Sequence, residues 1–427
     1  MRVLAQDLRY GIRVLVKTPG FTVIALLTLM LGIGATAAVF SVVDAVLIRP
    51  LPFRNPDRLV SLFEDFSSLG FPRNTPAPFN YVQWKEQHDI FEDVAATTDG
   101  QYNLTASGGD PEKLDGQRVT ANLFSLLGVH PLVGRSFLSE EDRDGGPHVA
   151  VISHRLWKRR FGGDLNLINR PILLNGDKFT VVGVMPSGFA FPSKDSDIWT
   201  PAQLSSRELN YRGSHYLQVF GRLRPGVSIS QANAALQVLR EQLARQYPDT
   251  HAGLQRFFAE PLQQTFTRDV HHGLVVLMIA VGFILLIACA NIANLLLARN
   301  SVRQREIALR CALGAARGRV VRQMLTESAL LATGGAVLGV IAAVLCFQFL
   351  TNLVPDDLSR TVALELNWQV LAFTLFVSML SSVLFGLAPA LQLTKVDLND
   401  ILKQGSRGSA GSQRRLFRKT LVGRPGD

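Results

Sequence analysis

Histidines and clustered carboxylates are the side chains with which this sequence could hold a metal or move a proton, and their spacing argues against both. The histidines (His88, His130, His148, His154, His215, His251, His271, His272) form no H-E-x-x-H pair and no other close ligand spacing. His271-His272 reads as a polar pair at a membrane boundary in preference to a metal site. Glu140, Glu141, Asp142 and Asp144 form an acidic turn, read as a solvated surface in preference to a calcium loop. No G-x-S-x-G elbow is present. Trp84, Trp157 and Trp199 are expected in core packing. The chain is therefore expected to be no enzyme, with no catalytic residue, no metal and no bound cofactor.

A more specific pattern lies in residues 299–324. Arg303, Arg305, Glu306 and Arg310 share a stretch in which Ile307 and Ala308 pair with Cys311 and Ala312 at helical spacing. That predicts an amphipathic helix ending at Gly314, a residue suited to a helix C-terminus. A second basic helix begins at Arg317 and runs into Glu327. Two ordered basic helices in a short segment fit a docking surface for a partner protein. Membrane headgroups are the plainer ligand for the same charges.

The elements that must position this surface are four charge-free apolar runs, Thr18–Val43, Gly273–Ala298, Ser328–Pro355 and Leu366–Thr394. Each exceeds the ~20 residues that a helix needs to cross a bilayer. The net charge of +10 gathers beside them. Arg2, Arg9, Arg13 and Lys17 precede the first run, seven arginines separate the second from the third, and Lys395 to Arg424 follow the fourth. Lys and Arg flanking a span mark its cytoplasmic side, and all three clusters fall on one side if each run crosses once. Both termini and residues 299–324 are then inside, with residues 49–270 and the short acidic loop outside. The basic residues are juxtamembrane and lack an aromatic platform, which argues against nucleic acid. The first run continues apolar well past the length of a signal-peptide core. Cys289, Cys311 and Cys346 lie in or beside the runs, so no disulfide framework is implied.

The expected fold is a polytopic α-helical membrane protein of four transmembrane helices, with a large α+β extracytoplasmic domain inserted between helices 1 and 2. In order, the parts are a cytoplasmic amphipathic helix (1–17), helix 1 (18–48), the outer domain (49–270) and helix 2 (271–298). A coupling loop (299–324), helix 3 (325–355), a short acidic outer loop (356–365), helix 4 (366–394) and a basic tail (395–427) follow. Within the insert, Ile172–Val182 reads as a hairpin around Asn175-Gly176. Val149–Ile152 reads as a buried strand before a helical Arg155–Phe161, and a helix is expected after Pro225-Gly226-Val227-Ser228. Near the first run, Leu8, Ile12 and Leu15 share one helical face, as expected of a helix lying on the inner leaflet until Pro19-Gly20 turns it. Gly32-x-Gly34 superficially matches a dinucleotide fingerprint, but the glycines sit inside a lipid-length run. Close helix packing is the better account, and Gly335 and Gly339 carry the same interpretation.

Arg305-Glu306-Ile307-Ala308-Leu309-Arg310, Ala312-Leu313-Gly314-Ala315 and Gln323–Ser328 together resemble the signature of FtsX-like ABC transporter permeases. The insert resembles the MacB-like periplasmic core domain in Asn122-Leu123-Phe124, Leu127-Gly128-Val129, Gly134-Arg135, Phe137 and Val181–Pro186. The opening Asp7–Gly11 and Pro19–Thr22 are similar to the large duplicated permeases common in acidobacteria, of which this chain covers one half. The resemblance implies an efflux or mechanotransmission permease with no ATPase of its own, and the sequence holds no Gly-Lys dipeptide and so no phosphate loop. It implies a separate cytoplasmic ATPase that binds the ATP and docks through Arg303, Arg305, Glu306, Arg310, Gly314 and Arg317. Pairing as a homodimer of permease halves, contact with membrane lipid and a periplasmic adaptor follow from the same resemblance. A truncated half of a duplicated permease, or a non-transporting sensor or regulator of a periplasmic process, is the alternative expectation.

Overall fold

The computed structural model describes residues 2–105, 111–251, 253–312, 317–353 and 368–394. Side chains are described for these except residues 2–5, 7, 299–321, 346–353 and 385–394. The chain opens with α1 (Arg2–Val16) and α2 (Pro19–Val43), and a π-helical turn at Asp44–Ile48 follows. It divides into two compact units, residues 49–269 and the remainder on either side of them.

The outer unit, residues 49–269, is built on one sheet. Its first half holds β1 (Leu59–Phe66), β2 (Phe71–Asn74), α3 (Pro78–Lys85), β3 (Phe91–Thr105), β4 (Glu112–Val119), α4 (Leu123–Leu127) and β5 (Val133–Gly134). Next come β6 (Val149–Ile152), α5 (His154–Phe161), β7 (Pro171–Leu174), β8 (Asp177–Val184) and β9 (Ile198–Pro201). The last elements are α6 (Ser206–Leu209), β10 (Gln218–Leu223), α7 (Ile229–Gln246), α8 (Pro248–His251) and β11 (Arg256–Pro261). Among the described residues the sheet has the order β11-β1-β10-β3-β4-β9-β6-β8-β5, with β2 on β1 and β7 bridging β3 and β8. Pairings are antiparallel except β4 with β9 and β6 with β8, so helices and strands mix as an α+β domain.

Strand alternation explains why the sheet is covered on both faces. In β1, Val60 and Leu62 point into one core while Leu59 points into another. Val94 and Ala96 of β3 and Val219 of β10 join the first core, whereas Ala95 and Phe220 join the second. Helices α3 and α7 close the first core with Trp84, Leu236, Leu239 and Leu243, and α4 closes the second with Leu123, Phe124 and Leu127. A third core lies farther along β3, where Tyr102 and Leu104 meet Leu114, Ile152, Leu156, Trp157 and Ile198. The long β3 thus serves all three cores and joins what could have been two small domains. At its midpoint Gly100 pairs with Gly116 of β4, and the Tyr102 ring fills the space that a side chain on either glycine would need.

Local chemistry sets the boundaries. Asn175 and Gly176 have φ of 54° and 93°, the left-handed pair that a two-residue hairpin turn requires between β7 and β8. The Ser153 hydroxyl caps α5 by accepting from Leu156 N. Ser228 and Gln231 form a reciprocal capping box at the start of α7. The three buried tryptophans, Trp84, Trp157 and Trp199, are core residues.

The acidic turn is not simply solvated, which corrects that expectation. Glu141 is buried and pairs with Arg135 at 2.6 Å, while Asp142 accepts from Ala121 N at 2.8 Å and Gln203 N at 2.9 Å. Burial pushes the Asp142 carboxyl above its usual range despite those backbone donors. Glu141 therefore braces its own loop, and Asp142 fastens the loops at Ala121 and Gln203 together.

The remaining helices belong to the other unit apart from the first turns of α9. They are α9 (Leu262–Ala312), α10 (Arg317–Leu353) and α11 (Trp368–Thr394). Among the described residues three helices are long and apolar enough to cross a membrane, Pro19–Ile48, Leu262–Ala298 and Arg322–Leu345. α11 contributes a shorter apolar stretch, Trp368–Leu384.

Helix α7 carries the apolar face that completes the core around Trp84, so its cap is a direct handle on that core. Ser228→Ala is expected to lower the stability of the outer unit by about 1 kcal/mol. A shift of the denaturation midpoint in tryptophan fluorescence measures it, and an unchanged midpoint would remove the capping box from the account of α7.

Candidate functional site

The helical unit is held by small residues at helix crossings. A side chain on Gly34 of α2 would meet the Gly339 backbone of α10 at 2.9 Å, and one on Gly339 would meet Gly34 and Met30 at the same distance. One turn away, Gly335 abuts Leu29, and Gly334 abuts Leu26. Gly32 faces Leu285 and Ala288 of α9. The predicted packing glycines are thus placed at two crossings of α2, with Gly34, Gly335 and Gly339 at one and Gly32 at the other. Between them lies a core of Ala25, Leu29, Ile33, Leu285, Cys289, Ile292, Leu331, Ala336 and Val377, which brings α11 in as well. Phe40 stacks on Phe373 with ring centroids 3.8 Å apart.

Helix α1 is tied to this core at one end. Leu15 is buried in it, and a side chain on Gly11 would strike Leu330 of α10 at 2.8 Å. The Thr22 hydroxyl reaches back to Leu15 O at 2.8 Å across the α1–α2 turn. Leu8, Ile12 and Val16 stay exposed as an apolar strip. The sequence reading missed Gly11 and Gly334. A glycine in an amphipathic helix costs propensity and is itself a hint of close approach.

Helix α9 differs from the expected division into a span and a separate inner helix. It runs unbroken for 51 residues to Ala312. The physical reason is the absence of Gly and Pro between Gly282 and Ala312, in a stretch rich in Ala, Leu and Arg. The change from apolar to charged composition at Arg299 marks a change of surroundings, not a helix end. Arg303, Arg305, Glu306 and Arg310 therefore sit on the last turns of α9, and Arg317 opens α10. Gly314 lies outside the described residues, as do the side chains of residues 299–321.

Residues 22–239 match the model of the MacB-like periplasmic core domain, and residues 278–398 match that of the FtsX-like permease C-terminal domain. The chain belongs to the MacB/FtsX family of ABC transporter permeases. It is similar to the macrolide export ATP-binding/permease protein MacB of Campylobacter jejuni, 24% identical over 84% of this chain and 54% of that protein. It is also similar to the pyoverdine export ATP-binding/permease protein PvdT of Pseudomonas syringae pv. tomato, 27% identical over 64% of this chain and 40% of that protein. The chain spans about half the length of the curated relatives it matches. Among solved structures, the periplasmic region of MacB from Actinobacillus actinomycetemcomitans aligns at 16% identity. It covers 50% of this chain and 92% of that one, with a TM-score of 0.37.

In this permease the outer unit also buries a polar network that sequence spacing did not reveal. Glu64 of β1 is wholly buried and accepts from Ala77 N at 3.0 Å and Asn80 Nδ2 at 2.7 Å, with His215 Nδ1 2.7 Å away. Asn80 Oδ1 in turn lies 3.1 Å from His251 Nε2, and Thr250 Oγ1 lies 2.9 Å from His251 Nδ1. Glu64 raises the His215 pKa above its ordinary 6.5, whereas burial lowers that of His251. Among the described residues no cluster of His, Cys, Asp and Glu has the geometry of a metal site.

Two predictions follow from these contacts. Gly34→Leu must push α2 from α10 and is expected to lower the melting temperature of the detergent-solubilised chain by about 2–8 °C. Gly282→Leu, where a side chain meets open space, is the control expected to leave it unchanged. The histidines predict a pH optimum. The His215 contribution is complete below its unfolded pKa of 6.5 and is lost as pH rises through the raised folded value. His251, held neutral, removes stability as pH falls from 6.5 through its lowered value. Outer-unit stability should peak near the shared unfolded value of 6.5, and His215→Gln should flatten only the alkaline limb of a denaturant-midpoint series. An unaltered alkaline limb in that variant would assign the slope to other groups.

Proposed function

We propose that the chain is the permease subunit of an ABC-type efflux or mechanotransmission transporter, driven by a separate cytoplasmic ATPase that binds the ATP. The observation that carries this is the unbroken α9. At about 1.5 Å per residue, its 51 residues amount to some 75 Å of helix, well over twice the ~30 Å hydrocarbon core. The same helix begins directly after β11 of the outer unit and ends among Arg303, Arg305, Glu306 and Arg310. A displacement applied at the basic end has no Gly or Pro between Gly282 and Ala312 at which to dissipate.

In this reading four spans cross the inner membrane, with both termini cytoplasmic and residues 49–270 periplasmic. The ATPase docks on residues 299–324. Two copies of the chain pair as permease halves, and the exposed apolar faces of α9 and α11 (Phe283, Ile287, Phe376, Met379) serve that pairing or the lipid. The α1 strip of Leu8, Ile12 and Val16 lies on the inner leaflet. The outer unit performs the substrate work, together with a periplasmic adaptor.

The test is co-purification of the ATPase with tagged full-length chain from native membranes. Reversing one interfacial charge, Glu306→Lys, is expected to lower the recovered ATPase by about tenfold or more. The spans should still fold, shown by unchanged thermal stability. Undiminished recovery by that variant would sink the docking role of this segment.

A further inference from the structure

A recess of the outer unit lies where the chain enters and leaves that unit. It has a volume of about 540 Å³ and is walled by Leu51, Phe53, Phe189, Phe191 and Phe266, with Lys194 the one charged lining residue among the described residues. Its size falls within the roughly 300–1,000 Å³ usual for small-ligand sites.

The floor is fixed. Phe191 is buried against Phe220 at 4.7 Å between centroids, and Phe53 meets it edge-on at 5.5 Å. Phe189 leans on the buried Trp199 at 5.3 Å. Phe266 closes one side at 5.8 Å from Phe191, yet remains 43% exposed. An aromatic wall locked from behind by the core, left open in front and with few polar side chains is suited to an apolar chain.

The occupant's chemistry follows from charge and connectivity. Lys194 is exposed, and no hydrogen bond or ion pair of its side chain is found among the described residues. Among the described residues no carboxylate lines the recess, so the complementary head is an anion. Leu51 follows the first apolar run by eight residues, and Phe266 precedes the second by seven. Both walls are thus only a few residues from chain that meets lipid. We propose that this recess takes up an acyl chain of an anionic membrane phospholipid, whose phosphate pairs with Lys194.

The experiment uses the full chain in a non-ionic detergent, with no ATPase present, so its outcome is independent of the coupling reading. Lysophosphatidylglycerol and lysophosphatidylcholine are titrated separately, and bound lipid is counted by native mass spectrometry. A phosphatidylglycerol carrying a diazirine in its tail then maps the contact by cross-linking. Expected are tighter binding of the glycerol lipid and cross-links to peptides holding Phe189, Phe191 and Phe266. Lys194→Glu should weaken the glycerol lipid by about tenfold and the choline lipid, whose quaternary ammonium offsets its phosphate charge, clearly less. Phe266→Asp, at an exposed position that keeps the fold, should weaken both. Cross-links confined to the apolar runs, or equal binding of the two lipids, would overturn the proposal. So would competition by glycerol 3-phosphate as strong as that by the whole lipid, because a site for the phosphate alone needs no aromatic wall.

Discussion

Where α2 crosses α10, backbone touches backbone, because Gly34 and Gly339 leave nothing between them. In lipid, two apolar helices gain no hydrophobic free energy by meeting, since the tails they displace are as apolar as they are. Close-range dispersion is what remains, and it falls steeply with distance. The neighbouring contacts depend on that approach. Leu29 seats on Gly335, Leu26 on Gly334, and the same helix turns Gly32 towards α9 and Phe40 towards α11. α2 is therefore the helix about which the others are arranged.

The outer unit is held by the opposite physics. There water drives burial, and the sheet is covered by apolar cores on both faces. Three of the carboxylates that this burial carries inward each gather several partners. Glu64 gathers Ala77, Asn80 and His215, while Asp197 gathers Ser153 and Arg155. Asp142 holds Ala121 and Gln203. Each such carboxylate joins chain segments distant in sequence, so these groups contribute to the uniqueness of the loops as much as to their stability.

What could be read in advance follows the range of the signal. Caps and turns are local, so the Asn175-Gly176 hairpin and the Ser228 helix start were legible residue by residue. The apolar runs were legible because lipid demands length and the exclusion of charge. The packing glycines could be named but not paired, since nothing in Gly34 points to Gly339. The Glu64 network was invisible for a related reason. Its members come from residues 64, 80, 215 and 251, brought together only by the sheet and the helices on it. The continuity of α9 is hard to read in advance because the change from apolar to charged composition at Arg299 resembles a boundary, while no Gly or Pro follows there to end the helix. The coupling role proposed for residues 299–324 rests on charge and spacing, which define a segment and not an arrangement of side chains.

The paired glycines in the β3–β4 ladder have a mechanical consequence. Gly100 and Gly116 face each other midway along β3, between the cores near its start and the one near its end. Neither carries a side chain that must slide or unpack when the ribbon twists, and the backbone bonds of the ladder tolerate twist well. The Tyr102 ring spans both and is anchored to Thr200 through its hydroxyl at 2.7 Å. At this step of the ladder, resistance to twist therefore comes from a neighbour's ring and its hydroxyl anchor and not from the paired residues themselves.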